Sequence, residues 1–218
     1  LVLGDITIVG TGTVSVVNGS DVWVFGHSLI QAGEVNYPML SAETHGVVPS
    51  RWSSFKLAGT GELIGTFTQD RLSAVYGHLG QTPEMIPVRI NFKKNGQKQN
   101  LNFYIVKHDK LAPILLKIIL DNVLAEFSDD QECSIFSKGE ISTTDAKPKP
   151  FYFSEHGFGL KTKIEDYYAK RLETVIGADN SDSEDSKLKR NKLDTRNMRK
   201  SIQIEEINIS LSVSESSK

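Results

Sequence analysis

The sequence has a single cysteine, no long apolar run and no excess of charge of one sign, and each absence excludes a class of protein. Cys133 alone cannot form an internal disulfide or a CxxC metal or redox pair. The longest apolar stretch, residues 111–120, is broken by Pro113 and Lys117 and is shorter than the roughly 18–20 residues of a membrane span. With 25 Lys and Arg against 27 Asp and Glu, no uniform basic face for nucleic acid or for a membrane surface is indicated.

The first part of the chain has the pattern of an all-β domain. The 218 residues are 39% hydrophobic, enough to bury a core in one large domain or in one domain with an appendage. Apolar residues alternate with polar or small ones through residues 6–25, which is typical of half-buried strands. Asn18-Gly19 and Asn95-Gly96 predict hairpin turns. Many short strands, including 44–48, 54–58 and 63–68, favour a barrel or sandwich over residues 1–106.

Beyond residue 106 the pattern becomes mixed α and β. Apolar residues at helical spacing predict an amphipathic helix over 111–127, and a second helix is expected around 164–176. A strand is expected near 134–141, and a closing strand over 202–213 shifts its phase near Glu205-Glu206. The predicted class is therefore mainly β, with a helix-covered α+β module over 107–218.

Residues 178–200 are polar, with acidic side chains followed by basic ones. Such a composition favours a mobile loop over a binding tail, because little apolar surface is available to offset the entropy lost on ordering.

Five histidines are the natural starting points for chemistry, and none has the spacing of a metal site, so no metal is predicted. Gly10-Thr11-Gly12 is not part of a GxGxxG loop that opens a helix, and no other cofactor is predicted. His27 follows the apolar strand that ends in Gly26, and Ser28 comes next. An imidazole at the end of a rigid strand can serve as a general base. Taken alone, however, these residues favour a histidine that caps the strand through hydrogen bonds.

Asp70 and a group of serines are the other candidates. Asp70 lies between two predicted strands, where it could orient an imidazole or, more commonly, cap the turn or pair with Arg71. Ser50, Ser53 and Ser54 offer hydroxyl groups, but none lies in a glycine-lined turn of the GxSxG type.

Several short motifs occur in an order that resembles one family. They are the segments GTV at 12–14, VFGH at 24–27, GEV at 33–35, VVPS at 47–50, SFKL at 54–57, GTFTQDR at 65–71 and GHLG at 77–80. Together they resemble the SpoIVB-type serine peptidases, and most closely the longer envelope proteins that carry this peptidase domain. The resemblance is dense over residues 4–106 and weaker up to the closing strand.

The resemblance implies a trypsin-like β-barrel, peptide-bond hydrolysis and an extracytoplasmic location in the periplasm or cell envelope. His27 takes the position of the catalytic histidine, and Asp70 becomes the candidate acid. Ser28 replaces the family's usual proline, and the family's GMSGSP nucleophile motif does not occur in these residues. The implied partners are a peptide or protein substrate and an upstream segment carrying the nucleophile. The chain by itself is expected to be inactive.

Two other interpretations remain open. The chain could be a non-catalytic envelope domain that binds a partner or a cell-wall polymer. It could also be a chaperone or assembly factor that captures extended peptides along an open strand edge.

Overall fold

A computed structural model describes residues 1–52, 54–94, 97–125, 129–130, 132–144, 147–180 and 204–215. Of the residues that the structure describes, 57% lie in strands and 17% in helices, so the protein is mainly β, as predicted. The elements in chain order are β1 Val2–Gly4, β2 Val14–Asn18, β3 Asp21–Val24, β4 Gly33–Val48, β5 Phe55–Arg71, β6 Ala74–Leu79, β7 Met85–Lys94, β8 Gln97–Val106, α1 Leu111–Val123, β9 Cys133–Thr143, β10 Phe151–Gly157, α2 Leu160–Asn180 and β11 Ile204–Glu215.

The chain forms two compact units, and their limits differ from the predicted division at residue 106. Unit 1 comprises residues 1–85 and 106–108, and unit 2 comprises 86–105 and 109–218. Most of β7 and β8 therefore belongs with the C-terminal part. The reason is strand pairing, because β7 pairs in parallel with β11 at the end of the chain.

Unit 1 is built on an antiparallel sheet with the strand order β2-β3-β6-β5-β4. The predicted Asn18-Gly19 hairpin is confirmed, because β2 pairs with β3 across this turn and Gly19 has a φ of 61°. A small apolar core lies on one face of the sheet. It consists of Val22, Val24, Met39 and Val75, with Phe25, Leu29 and Phe67 packed against it.

The predicted barrel is wrong, since the sheets are not closed. In the described part of unit 1, β2 and β4 form the two ends of the sheet. The short strands predicted between residues 44 and 68 are instead parts of two long ones, β4 and β5, which pair with several register shifts. β4 tolerates Pro38 because it is an edge strand. One side of an edge strand has no neighbouring strand, so the absence of the proline N–H on that side loses no hydrogen bond between strands.

Unit 2 contains the strands β8-β7-β11-β9-β10 in that order, and α1 packs against α2. The predicted phase shift in the closing strand is confirmed as an irregularity between Ile204 and Glu206. Both predicted helices are present, while β10 was not predicted from the sequence. Neither helix among the described residues has the length and apolar character needed to cross a membrane.

Two predictions lie largely outside the described residues. These are the Asn95-Gly96 turn and the loop 178–200, of which only residues 178–180 are described, at the end of α2.

Candidate functional site

His27 is presented to solvent by a sharp change of backbone direction at the end of β3. Phe25 and Gly26 both have φ near 71°, in the left-handed region. Glycine adopts this conformation without cost, whereas Phe25 is strained there. The Phe25 N–H donates to the Thr13 carbonyl at 2.9 Å, which stabilises the turn. His27 is consequently exposed, with its ring centroid 5.6 Å from that of Phe25.

A hydrogen bond to the backbone determines the tautomer of the His27 ring. Nδ1 lies 2.6 Å from the carbonyl oxygen of Ser28. Because a carbonyl oxygen can only accept, Nδ1 must carry the proton and donate. In the neutral ring Nε2 is then unprotonated, and its lone pair is available to accept a proton. This is the form of imidazole that a general base requires.

Asp70 is fully buried on β5, and its carboxylate binds the loop that follows His27. The carboxylate accepts backbone N–H bonds from Leu29 at 2.7 Å, Ile30 at 2.9 Å and Ala32 at 3.2 Å. Asp70 thus lies near His27, but the two are linked only through the backbone of the loop 29–32. The Nδ1 proton of His27, which an orienting acid would accept, goes to the Ser28 carbonyl instead.

The candidate serines lie in the turn between β4 and β5. Ser54 Oγ accepts from the Ser50 N–H at 3.2 Å, and Ser50 Oγ accepts from the Trp52 N–H at 3.2 Å. These bonds shape the turn, and Ser53 lies outside the described residues. Neither Ser50 nor Ser54 stands in the glycine-lined setting that activates a nucleophile.

Sequence reasoning missed a second serine–histidine contact, in unit 2. Ser134 Oγ lies 2.8 Å from His156 Nδ1, and His156 Nε2 lies 3.4 Å from Glu132. Ser134 and His156 are direct cross-strand partners of β9 and β10, so strand pairing accounts for their proximity. The His156 and Glu132 side chains are about half exposed to water.

An apolar cavity of about 380 Å³ adjoins the backbone turn of His27 within unit 1. Phe25 and Leu29, on either side of the histidine, both line it, and no lining side chain is charged. Tyr37 also lines it, and its buried hydroxyl has no hydrogen-bond partner among the described residues. Burial, with a smaller contribution from the negative charge of Asp70, raises the pKa of Tyr37 to about 12. In the sequence, the alternation of Val35, Tyr37 and Met39 with other residues is the pattern that indicates a strand with these three side chains on one buried face.

The described residues contain no group of three or more His, Cys, Asp or Glu side chains that could hold a metal ion. Comparison of the chain with protein-family models, curated proteins and solved structures finds no match.

Proposed function

We propose that unit 1 supplies the catalytic histidine of a SpoIVB-type serine endopeptidase in the cell envelope. In this proposal the nucleophile lies on a segment outside these 218 residues. One observation carries the proposal. The His27 side chain is exposed, its Nδ1–H donates to the Ser28 carbonyl, and in the neutral ring the Nε2 lone pair is available to accept a proton. The order of motifs over residues 4–106 supports the choice of family.

In the proposed reaction, a serine hydroxyl attacks the carbonyl carbon of a peptide bond. Nε2 of His27 takes the hydroxyl proton and later donates it to the leaving amine, and water then hydrolyses the acyl ester. The Ser28 carbonyl can continue to accept from Nδ1–H while the ring carries the transferred proton. Asp70 acts as a positioning residue, because it fixes the loop 29–32 next to the base.

The tautomer of His27 can be measured in the 218-residue chain. Two-bond ¹H–¹⁵N correlation spectra at a pH where the ring is neutral should show a protonated Nδ1 and an unprotonated Nε2. The His27→Gln variant assigns the signal by its loss. A His27 ring that carries its proton on Nε2 would remove the structural basis of the proposal.

A fluorophosphonate probe tests the catalytic role. We expect no labelling of the 218-residue chain and labelling of a longer protein that contains the GMSGSP motif. In the longer protein, His27→Gln should abolish labelling, while the replacement His45→Gln at an exposed position of β4 should leave it unchanged. Stoichiometric labelling of the 218-residue chain contradicts the proposal, and loss of that labelling in Ser134→Ala would place the nucleophile in unit 2. Full labelling of the longer His27→Gln variant contradicts it as well.

The open sheet favours one alternative, a non-catalytic binding or assembly domain. Every residue of the end strand β2 is exposed, and the uncharged cavity is lined in part by Val14 and Val17 of this strand. Extended peptides bind such edges by strand addition. Peptide titration followed by amide hydrogen exchange separates the two functions, because a binding domain protects residues 14–18 or 44–58 whether or not His27 is replaced.

A further inference from the structure

The distal part of the β4–β5 hairpin forms an arm, residues 44–57 as far as they are described, whose side chains are mostly exposed on both strands. Trp52, in the turn, is 99% exposed, and Phe55 and Leu57 are 57% and 55% exposed. A two-stranded hairpin of this kind is only marginally stable by itself in water. So much apolar surface on an arm indicates a binding surface.

Strand register divides the arm into two different faces. Val48 pairs with Phe55 and Gly46 with Leu57, so these residues share one face, which carries no charge. Lys56 is on the other face, where its Nζ donates to Thr13 Oγ1 at 2.6 Å. Because Lys56 binds the body of unit 1, the face with Val48, Phe55 and Leu57 points away from it.

The charge of the arm favours an anionic partner. Residues 44–57 contain Arg51, Lys56 and His45 and no Asp or Glu, Glu43 and Glu62 lie outside the arm, and the whole chain has a net charge of −2. Hydrogen bonds of Ser50 and Ser54 order the turn that contains the neighbouring residues Arg51 and Trp52. Tryptophan is enriched at membrane interfaces, and a basic side chain near the surface is attracted to anionic headgroups.

We propose that this arm docks on an anionic lipid surface, with Trp52 and Phe55 inserted at the headgroup level and Arg51 in contact with lipid phosphates. The proposal is independent of the catalytic role of His27.

Vesicle sedimentation of the 218-residue chain tests the proposal. We expect binding to mixed phosphatidylglycerol–phosphatidylcholine vesicles and much weaker binding to phosphatidylcholine alone. The double variant Trp52→Ser/Phe55→Ser should lower the partition coefficient at least about tenfold, because two large apolar side chains no longer leave water. Arg51→Glu should lower the partition coefficient by more than about fivefold, since the attraction between Arg51 and the lipid phosphates is replaced by repulsion between two negative charges.

Leu72→Ser is the matched control, because Leu72 is 73% exposed but lies outside the arm. It should leave binding unchanged, and circular dichroism should show that all variants fold. The Trp52 emission, obtained by subtracting the spectrum of Trp52→Ser, should shift to the blue on addition of anionic vesicles. That shift is absent if the arm stays in water.

Three results would overturn the proposal. The first is equal binding by the wild type and the double variant. The second is a wild-type dimer that the double variant converts to a monomer without any vesicle binding, which would make the arm a contact between two copies. The third is a blue-shifted Trp52 in a longer form of the protein without vesicles, which would show that the arm is covered by protein.

Discussion

Asp70 acts at the scale of a single residue as an anchor for the loop beside His27. Its carboxylate is fully buried and is satisfied by three backbone N–H groups. Gln31 and Gly33 have φ values of 58° and 85°, so the loop winds tightly around the carboxylate. From the sequence, Asp70 could be a catalytic acid, a cap of its own turn or a partner of Arg71, whereas its carboxylate binds the backbone of the distant loop 29–32.

We expect Asp70→Asn to lower the free energy of unfolding by about 1.5–3 kcal/mol, because charge-assisted hydrogen bonds are lost and an amide NH₂ meets backbone N–H groups. Urea denaturation measures this change, and hydrogen exchange should accelerate at Leu29, Ile30 and Ala32. Glu43→Gln, on an exposed part of β4, is the control and should be nearly neutral. Unchanged protection of the three amides would contradict the role of Asp70 as anchor.

Glu165 on α2 is a buried carboxyl group whose Oε1 has no hydrogen-bond partner in the described structure. Burial, with a further contribution from Asp121, raises its pKa from 4.5 to about 7, while Lys161 and Lys117 oppose the shift. In the folded protein this group therefore keeps its proton at pH values where the unfolded chain has lost it.

Stability should consequently fall as the pH rises from about 4.5 to about 7, because the folded state binds more protons over that range. Glu165→Gln should flatten this part of the profile, since a neutral amide has no proton to lose. Urea midpoints at several pH values measure the effect, with the exposed Glu173→Gln as control. A Glu165→Gln profile as steep as that of the wild type would contradict the assignment.

At the scale of the element, Gly77 allows β6 to lie between β3 and β5. It pairs with Val22 on one side and with Phe67 on the other. A Cβ at this position would lie 2.2 Å from the Thr66 carbonyl oxygen and 2.6 Å from the Phe67 Cα. Because both atoms belong to the backbone, the strand itself would have to move.

Gly77→Ala should therefore destabilise unit 1 by about 1–3 kcal/mol or more. Gly46→Ala is the matched control, because a Cβ at Gly46 meets no atom within 4 Å. Thermal unfolding of the two variants checks the difference. Equal melting temperatures would show that β6 can shift without cost.

At the scale of the whole molecule, the last strand of the chain lies inside the sheet of unit 2. β11 pairs in parallel with β7 and antiparallel with β9, so residues 207–213 join strands that are far apart in sequence. Ile207 and Ile209 on this strand are fully buried. The sheet of unit 2 thus depends on the end of the chain.

Truncation after residue 203 should prevent unit 2 from forming its sheet, because both neighbours of β11 lose their backbone partners. Circular dichroism and limited proteolysis measure the result. The substitution Glu215→Gln, which keeps the strand, should leave both measurements unchanged. A truncated chain with a native spectrum would contradict the central role of β11.

Local features could be predicted well from the sequence. The Asn18-Gly19 turn, the two helices and the irregularity near Glu206 follow from local preferences and from the spacing of apolar residues. The length of β4 and β5 could not be predicted, because glycines and Pro38 usually interrupt strands. Here both strands continue past these residues because they pair with each other.

The sequence by itself determined the mainly β class, the turn chemistry and the position of His27 at a strand end, because these depend on neighbouring residues. Only the tertiary structure decided that the sheet of unit 1 stays open, that β7 joins the end of the chain, and that Asp70 binds the backbone beside His27. These features depend on contacts between distant residues, for which periodicity carries no signal.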